Sequence, residues 1–192
     1  MPQETDEQLI SLAREGDTEA FESLMRRYRA RVFRLAMRFT RDKDDSEEVL
    51  QEVFLTVYQK LGQFEGKSSF STWLYRVAVN TALMRIRVRD KAEIVPIDEV
   101  HDDLILEGAE AAKAPEDRLI TEEALAEIER AMISMPLDFK TVIILRDIES
   151  FTNEETAEIM GLTVAAVKSR LHRARAYLRK RLEDLYNSTK GR

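Results

Sequence analysis

Apolar residues recur every three or four positions through most of the first half of the chain, which is the spacing of one face of an α-helix. The clearest series lies on a helix predicted from Thr18 to about Phe39. Its apolar members are Phe21, Leu24, Met25, Tyr28, Val32, Leu35, Ala36 and Phe39. A face this continuous must be buried against other helices, so it predicts the centre of a helical bundle.

Shorter apolar series predict three more helices around this one. One precedes Gly16, and one follows the polar run 41–46, with Asp44 or Asp45 suited to cap its first turn. The fourth is predicted from about Thr72 to Arg89, after a polar loop. Four helices joined by short loops predict a compact bundle.

The composition changes near residue 92, where the helical spacing is lost. Nine acids stand against one base between Glu93 and Asp117, and two prolines lie in the same stretch. That composition predicts an extended or flexible acidic linker. Helical spacing resumes near Glu116, and the apolar run 139–145 predicts the core of a second domain. We therefore predict an all-α protein with two small helical domains, residues 1–91 and 117–192, joined by an acidic linker over residues 92–116.

A helix-turn-helix is predicted in the second domain. The run Thr152–Glu155 is a capping box that starts a helix, and Gly161 ends that helix because glycine tolerates positive φ. Thr163 then caps a longer helix with Val164, Val167 and Leu171 on its buried side. A short turn with glycine between two helices is typical of DNA-binding proteins.

The exposed side of that last helix is strongly basic, which favours duplex DNA as its ligand. Its predicted contact residues are Lys168, Ser169, Arg170, His172, Arg173 and Arg175. The alternative is an ordinary helical hairpin whose basic face only meets solvent. The net charge of −6 does not exclude DNA binding, because the site for phosphate is a local patch.

A second candidate group mixes aromatic, cationic and amide side chains, which suits unstacked bases of a single strand. Its members are Phe64, Phe70, Trp73, Tyr75, Arg76, Asn80, Arg85, Arg87 and Arg89. Read alone, the group is better explained as structural, with Phe70 and Trp73 in the core.

Enzymatic and metal-dependent functions are not expected from this sequence. The chain has no cysteine, its two histidines lie far apart, and no recognised catalytic motif is present. We therefore expect no enzyme activity, no cofactor and no metal site. The absence of an apolar signal segment and of a long apolar run predicts a cytoplasmic protein without membrane insertion.

Three stretches of the chain together resemble the extracytoplasmic-function (ECF) sigma factors of bacterial RNA polymerase. They are DSEEVLQEVF at 45–54, FEGKSSFSTWLYRVAVNT at 64–81 and GLTVAAVKSRLHRAR at 161–175. The resemblance spans nearly the whole chain. It implies two helical domains, sigma region 2 and sigma region 4, and a factor that directs core polymerase to promoters of a stress or envelope regulon.

The resemblance also assigns roles by position. Glu48, Gln51 and Glu52 match the surface that docks on the clamp helices of the largest polymerase subunit, while the flap is a further contact of the family. The upstream (−35) element would be read as duplex by the basic helix, and the linker would enter the active-site cleft. The downstream (−10) element, with a flipped base, would be read by Phe64, Lys67, Ser69, Arg76 and Asn80, whereas Trp73, Val77 and Ala78 would be structural.

Two other functions stay open at this point. A stand-alone helix-turn-helix regulator would bind DNA without polymerase, usually at a palindrome. A decoy that mimics a sigma domain would bind only an inhibitor, and its DNA-facing cations would be dispensable. An anti-sigma factor is a further partner that the resemblance implies.

Overall fold

The computed structural model describes residues 4–92 and 122–190, and all described regular structure is helical. The first unit contains four α-helices and one 3₁₀ turn. They are α1 (Asp6–Arg14), α2 (Thr18–Thr40), α3 (Lys43–Lys60), the 3₁₀ turn Leu61–Gln63, and α4 (Phe70–Ala92).

The predicted apolar face of α2 forms the centre of the first unit. Leu24, Val32 and Leu35 are completely buried there, and Phe39 is nearly so. Helices α2, α3 and α4 all pack against one another, and α1 packs on α2. The bundle predicted from helical spacing is therefore confirmed for this part of the chain.

Helix α1 is tied to α2 by polar contacts as well. Asp6 accepts a hydrogen bond from the Tyr28 hydroxyl and pairs with Arg27, which also donates to the Glu4 carbonyl at 2.7 Å. Burial, together with the hydrogen bond to Asp6, raises the pKa of Tyr28. These contacts fix the start of α1 on the bundle.

The predicted cap of α3 is wrong by two or three residues. Asp42 is the N-cap, and its carboxylate accepts the Asp45 amide at 2.8 Å. The reason is the turn before it: Arg41 adopts a left-handed conformation at φ 59°, so the helix can begin directly after Asp42. Asp44 and Asp45 lie in the first turn, where their charges favour the helix dipole.

The second unit is built around a short apolar helix, as the sequence predicts. Its elements are α5 (Glu122–Ser134), α6 (Leu137–Ile143), a π-helical turn (Ile144–Ile148), α7 (Asn153–Met160) and α8 (Val164–Lys190). Val142, Ile144 and Leu145 are completely buried. Helix α8 packs against α5 and α6, which places its first turns beside this core.

The acidic linker predicted for residues 92–116 lies almost wholly outside the described residues, as does the start of the second domain near Glu116. None of the described helices is both long and apolar enough to cross a membrane.

Candidate nucleic-acid interface

The predicted helix-turn-helix is confirmed in its local geometry. The Thr152 hydroxyl accepts the Glu155 amide at 3.1 Å, and the Glu155 carboxylate accepts the Thr152 amide at 2.8 Å. Gly161 has φ +65° at the end of α7, and the Leu162 amide closes the turn on the Ala157 carbonyl at 2.8 Å. The Thr163 hydroxyl accepts the Ala166 amide at 3.2 Å, so α8 starts at the predicted cap.

The outward face of α8 presents the predicted stripe. Val167 and Leu171 are buried against the unit, as is Ala174 one turn further along. The exposed residues between them are Lys168, Ser169, His172 and Arg173. Four adjacent donors on the first turns of a solvent-facing helix can meet base edges and phosphates of a major groove.

Two of the predicted contact residues, Arg170 and Arg175, are held by acids of the same unit. Arg170 Nη1 lies 2.8 Å from Asp138 Oδ2. Arg175 donates through Nε and Nη2 to the two oxygens of Asp147, at 3.0 and 2.5 Å. The hydrogen bond to Asp147 raises the pKa of Arg175. Either guanidinium would have to share or leave its carboxylate to bind a phosphate.

In the first unit, the loop before α4 is anchored by an aromatic cluster. The Phe64 ring lies 5.8 Å from Phe70 and 5.3 Å from Trp73, and Phe70 also meets Tyr28 edge-on at 5.4 Å. Phe70 is buried, whereas Phe64 and Trp73 are half-buried. Phe70 is thus a core residue, and the other two form the border between core and surface.

A groove of about 380 Å³ opens beside this cluster. Its lining residues are Lys60, Gln63, Trp73, Arg76, Val77 and Asn80. Arg76 and Asn80 are exposed, so a guanidinium and an amide stand next to an aromatic wall. This combination can stack a base, hydrogen-bond its edge and neutralise its phosphate. Trp73 and Val77, expected to be structural, line the groove, whereas Ala78 is buried as expected.

Phe64 and two other residues assigned to this site, Ser69 and Lys67, lie outside the groove lining. The Ser69 hydroxyl accepts the Thr72 amide at 3.1 Å and lies 2.8 Å from the Thr72 hydroxyl, so it helps to start α4. Lys67 is almost fully exposed and pairs with Glu65. A role of either in binding a base remains a prediction.

Arg14 reaches the same loop from α1 and was not predicted from the sequence. Its Nε donates to the Leu61 carbonyl at 3.1 Å, and its Nη2 donates to the Phe64 carbonyl. The guanidinium carbon also lies 5.9 Å from the centroid of the Phe64 ring. Arg14 therefore holds both the 3₁₀ turn and the start of the loop, across more than 45 positions of sequence.

The predicted docking residues lie together on α3. Glu48, Gln51 and Glu52 are all exposed, at the spacing that places them on one face. Glu48 is held by Arg85 of α4, whose Nη1 lies 2.5 Å from its carboxylate, while the same guanidinium donates to Asp45 at 2.7 and 2.9 Å. The hydrogen bond to Asp45 raises the pKa of Arg85.

This face continues beyond the acids as an apolar surface that the sequence argument did not use. Leu55 and Tyr58 are 56% and 65% exposed, and Tyr58 meets Phe21 edge-on at 5.2 Å.

Among the described residues, no group of three or more His, Cys, Asp or Glu side chains is placed to hold a metal ion.

Comparison with known protein families identifies both halves of the chain. Residues 24–92 match the model for sigma-70 region 2, and residues 125–178 match that for sigma-70 region 4. The RNA polymerase sigma-H factor of Pseudomonas aeruginosa is 34% identical over 96% of this chain and 97% of its own length. The ECF RNA polymerase sigma-E factor of Escherichia coli is 34% identical over 94% and 96%.

Solved structures agree on the fold. The complex of CnrH with the cytosolic domain of CnrY superposes with a TM-score of 0.68 at 24% identity, covering 93% of this chain and 97% of that one. The sigma factor RpoE of Bartonella quintana, in complex with the anti-sigma factor NepR, gives 0.61 at 23% identity, with 86% and 98% covered. With both sigma regions in order and full-length relatives above 30% identity, the chain belongs to the ECF sigma factors, which bind core RNA polymerase and direct it to promoters.

Proposed function

We propose that the groove lined by Trp73, Arg76 and Asn80 captures an unpaired base of the −10 element as the promoter opens. The observation that carries this proposal is the groove itself, where an aromatic wall adjoins a guanidinium and an amide. Phe64 packs against Trp73 and so supports the wall of this groove. Lys67 and Ser69, on the loop before α4, are assigned to the same site. The exposed stripe Lys168, Ser169, His172 and Arg173 reads the −35 element as duplex DNA, and Arg170 and Arg175 adjoin it.

Docking on core polymerase is assigned to the α3 face with Glu48, Gln51 and Glu52. Carboxylates and an amide on one rigid helix face suit a basic helical partner such as the clamp helices, because charge complementarity sets orientation. The region 4 domain would meet the flap. In this assignment region 2 comprises residues 1–91, region 4 comprises residues 117–192, and the acidic linker between them enters the polymerase cleft.

The same proposal covers the cellular setting. The factor acts in the cytoplasm without catalysing a reaction, serves a stress or envelope regulon, and is held by an anti-sigma factor, as RpoE of Bartonella quintana is held by NepR. A stand-alone helix-turn-helix regulator would leave region 2, with the exposed acidic face of α3, without a role.

Promoter opening tests the division of labour between the two DNA sites. With core polymerase, Asn80→Ala should reduce transcription from a double-stranded promoter, and mismatches that pre-open the −10 element should restore it. Arg173→Ala should also reduce transcription, but pre-opening should restore it less, since duplex recognition is lost. Equal restoration of both variants would contradict the assignment of base capture to the groove.

A further inference from the structure

The two acids of the α3 docking face, Glu48 and Glu52, have different surroundings. The Arg85 guanidinium of α4 reaches Glu48, with 2.5 Å between Nη1 and the carboxylate. Within residues 4–92 and 122–190, no cation forms an ion pair with Glu52, one turn further along α3. A basic partner that docks on this face therefore meets one acid that is open and one that is already engaged by the same unit.

Arg85 does not depend on Glu48 for its neutralisation, because Asp45 holds the same guanidinium more firmly. Its Nε and Nη2 donate to Asp45 Oδ1 at 2.9 and 2.7 Å. The side chain of Asp45 is 16% exposed, whereas that of Glu48 is 58% exposed. Water weakens an ion pair that it surrounds, so the bonds to Asp45 are the stronger ones. If Glu48 turned to another cation, Arg85 would remain paired.

Asp45 is itself held in place by further contacts at the start of α3. Its amide donates to the Asp42 carboxylate at 2.8 Å, and its Oδ2 lies 3.5 Å from Arg89 Nη1 of α4. Asp45 and Arg85 thus belong to a network that joins the start of α3 to the end of α4. Glu48 is the most exposed member of this network, and it lies on the side of the docking face.

From this arrangement we propose that Arg85 competes with the basic helix of core polymerase for Glu48, and so limits the affinity of docking. In the free factor Glu48 binds Arg85. On docking, Glu48 exchanges this partner for a cation of the polymerase, while Asp45 keeps Arg85 neutralised. An exposed ion pair contributes little stability, so the exchange is easy, but breaking the pair still lowers the net affinity. The inference rests on the proposed docking role of this face of α3.

Equilibrium binding of the full chain to core polymerase, without DNA and at low salt, tests the competition. Arg85→Gln should bind core more tightly than the wild type, by roughly two- to five-fold, which is the range that an exposed ion pair spans. The gain should disappear in the Glu48→Gln background, because no carboxylate is then released. A residue that only stabilised the bundle would give the opposite sign, since its loss would weaken binding.

Arg87→Gln is the matched control for the change of charge. It removes one positive charge from an exposed position of the same helix, and two residues of helix turn it about 200° away from Arg85. Its affinity for core should stay at the wild-type value. Equal gains for Arg85→Gln and Arg87→Gln would overturn the proposal, because they would indicate only a long-range charge effect. A gain that persisted in the Glu48→Gln background would overturn it as well.

A second comparison leaves Arg85 in place and decides the matter if Arg85→Gln does not fold. Glu52→Gln should weaken core binding more than Glu48→Gln, because only Glu48 gives up an internal partner on docking. Equal losses would overturn the competition.

The double variant Gln51→Ala with Glu52→Lys separates this inference from the proposed function. Normal core binding by that folded variant would contradict docking through α3. A clear loss there, together with unchanged or weaker binding of folded Arg85→Gln, would contradict the competition alone.

Discussion

Arg173 and Arg175 of α8 are not equivalent, because an acid of the same unit, Asp147, holds Arg175. Arg173 is exposed to solvent between His172 and the buried Ala174. Nε and Nη2 of Arg175 both donate hydrogen bonds to the Asp147 carboxylate. Two neighbouring arginines of the same sequence motif are thus prepared for different tasks. Base recognition is expected from Arg173, because Asp147 engages the guanidinium of Arg175.

Substitution of these two arginines should therefore have different consequences. Arg173→Ala should cost about 1–3 kcal/mol at the contacted base pair and relax the preference there, and a guanine is the expected partner. Arg175→Ala should leave the selected bases unchanged and lower stability modestly, since its ion pair is partly exposed. Selection from a randomised upstream element with core polymerase measures both. If Arg175→Ala changed the selected bases and Arg173→Ala did not, the face of α8 that we assign to the bases would be the wrong one.

Arg14 offers a second test at this scale, because its guanidinium spans two carbonyls that a lysine cannot bridge in the same way. Arg14→Lys should therefore loosen the loop at Phe64 and slow promoter opening while keeping the charge. Trp73 is the only tryptophan of the chain, and its ring centroid lies 5.3 Å from that of Phe64. The wavelength of its fluorescence emission should therefore shift in the Arg14→Lys variant.

Arg27→Gln is the matched control for Arg14, because it loosens the other end of α1 without touching the loop. Opening rates should fall for Arg14→Lys alone. If both variants slowed opening equally, Arg14 would only stabilise α1 and would not position the loop.

At the scale of elements, the helix-turn-helix depends on local caps that a single substitution can remove. Thr152→Ala deletes the hydroxyl that accepts the Glu155 amide and should destabilise the second unit by about 1 kcal/mol. Thr152→Ser should restore most of that loss. Urea unfolding monitored by circular dichroism should show the loss of stability as a lower midpoint. Unfolding monitored by Trp73 emission, which reports the first unit, should keep its midpoint. An unchanged dichroism curve for Thr152→Ala would contradict this role of the cap.

Elements of this protein were predictable where short-range spacing determines them. The α2 face, the capping box at Thr152 and the turn at Gly161 all follow from residues a few positions apart, and the structure confirms them. The cap of α3 was misplaced because Asp42, Asp44 and Asp45 are chemically equivalent, and only the left-handed Arg41 decides among them.

Long-range pairings were not predictable in the same way. Arg14 meets Phe64 across 50 positions, and Arg175 meets Asp147 across 28. Neither pairing leaves a periodic signal in the sequence, since each depends on how whole helices pack. The residues of the site and the helices that carry them could therefore be predicted from the sequence. Which of the cations would be engaged by acids of the same unit could not.

For the whole molecule, the distribution of charge sets how the free factor meets DNA. The chain as a whole carries −6, while the cations that we propose meet DNA lie in local patches, among them those on α4 and α8. Without polymerase, affinity for duplex promoter DNA should therefore be weak and should fall steeply with salt, because phosphate contacts supply most of it. Titration of labelled promoter at several salt concentrations measures this. Tight, salt-resistant binding by the chain alone would instead favour a stand-alone regulator.

Run-off transcription from a promoter library with purified core polymerase shows whether the chain acts as a sigma factor. The full chain should produce transcripts from a defined subset of promoters with two conserved elements, and core alone should produce none of them. Gln51→Ala combined with Glu52→Lys, which changes only exposed positions of α3, should abolish these transcripts by weakening core binding. Transcripts independent of the added chain would contradict its role as a sigma factor, and full activity of this folded double variant would contradict docking through α3.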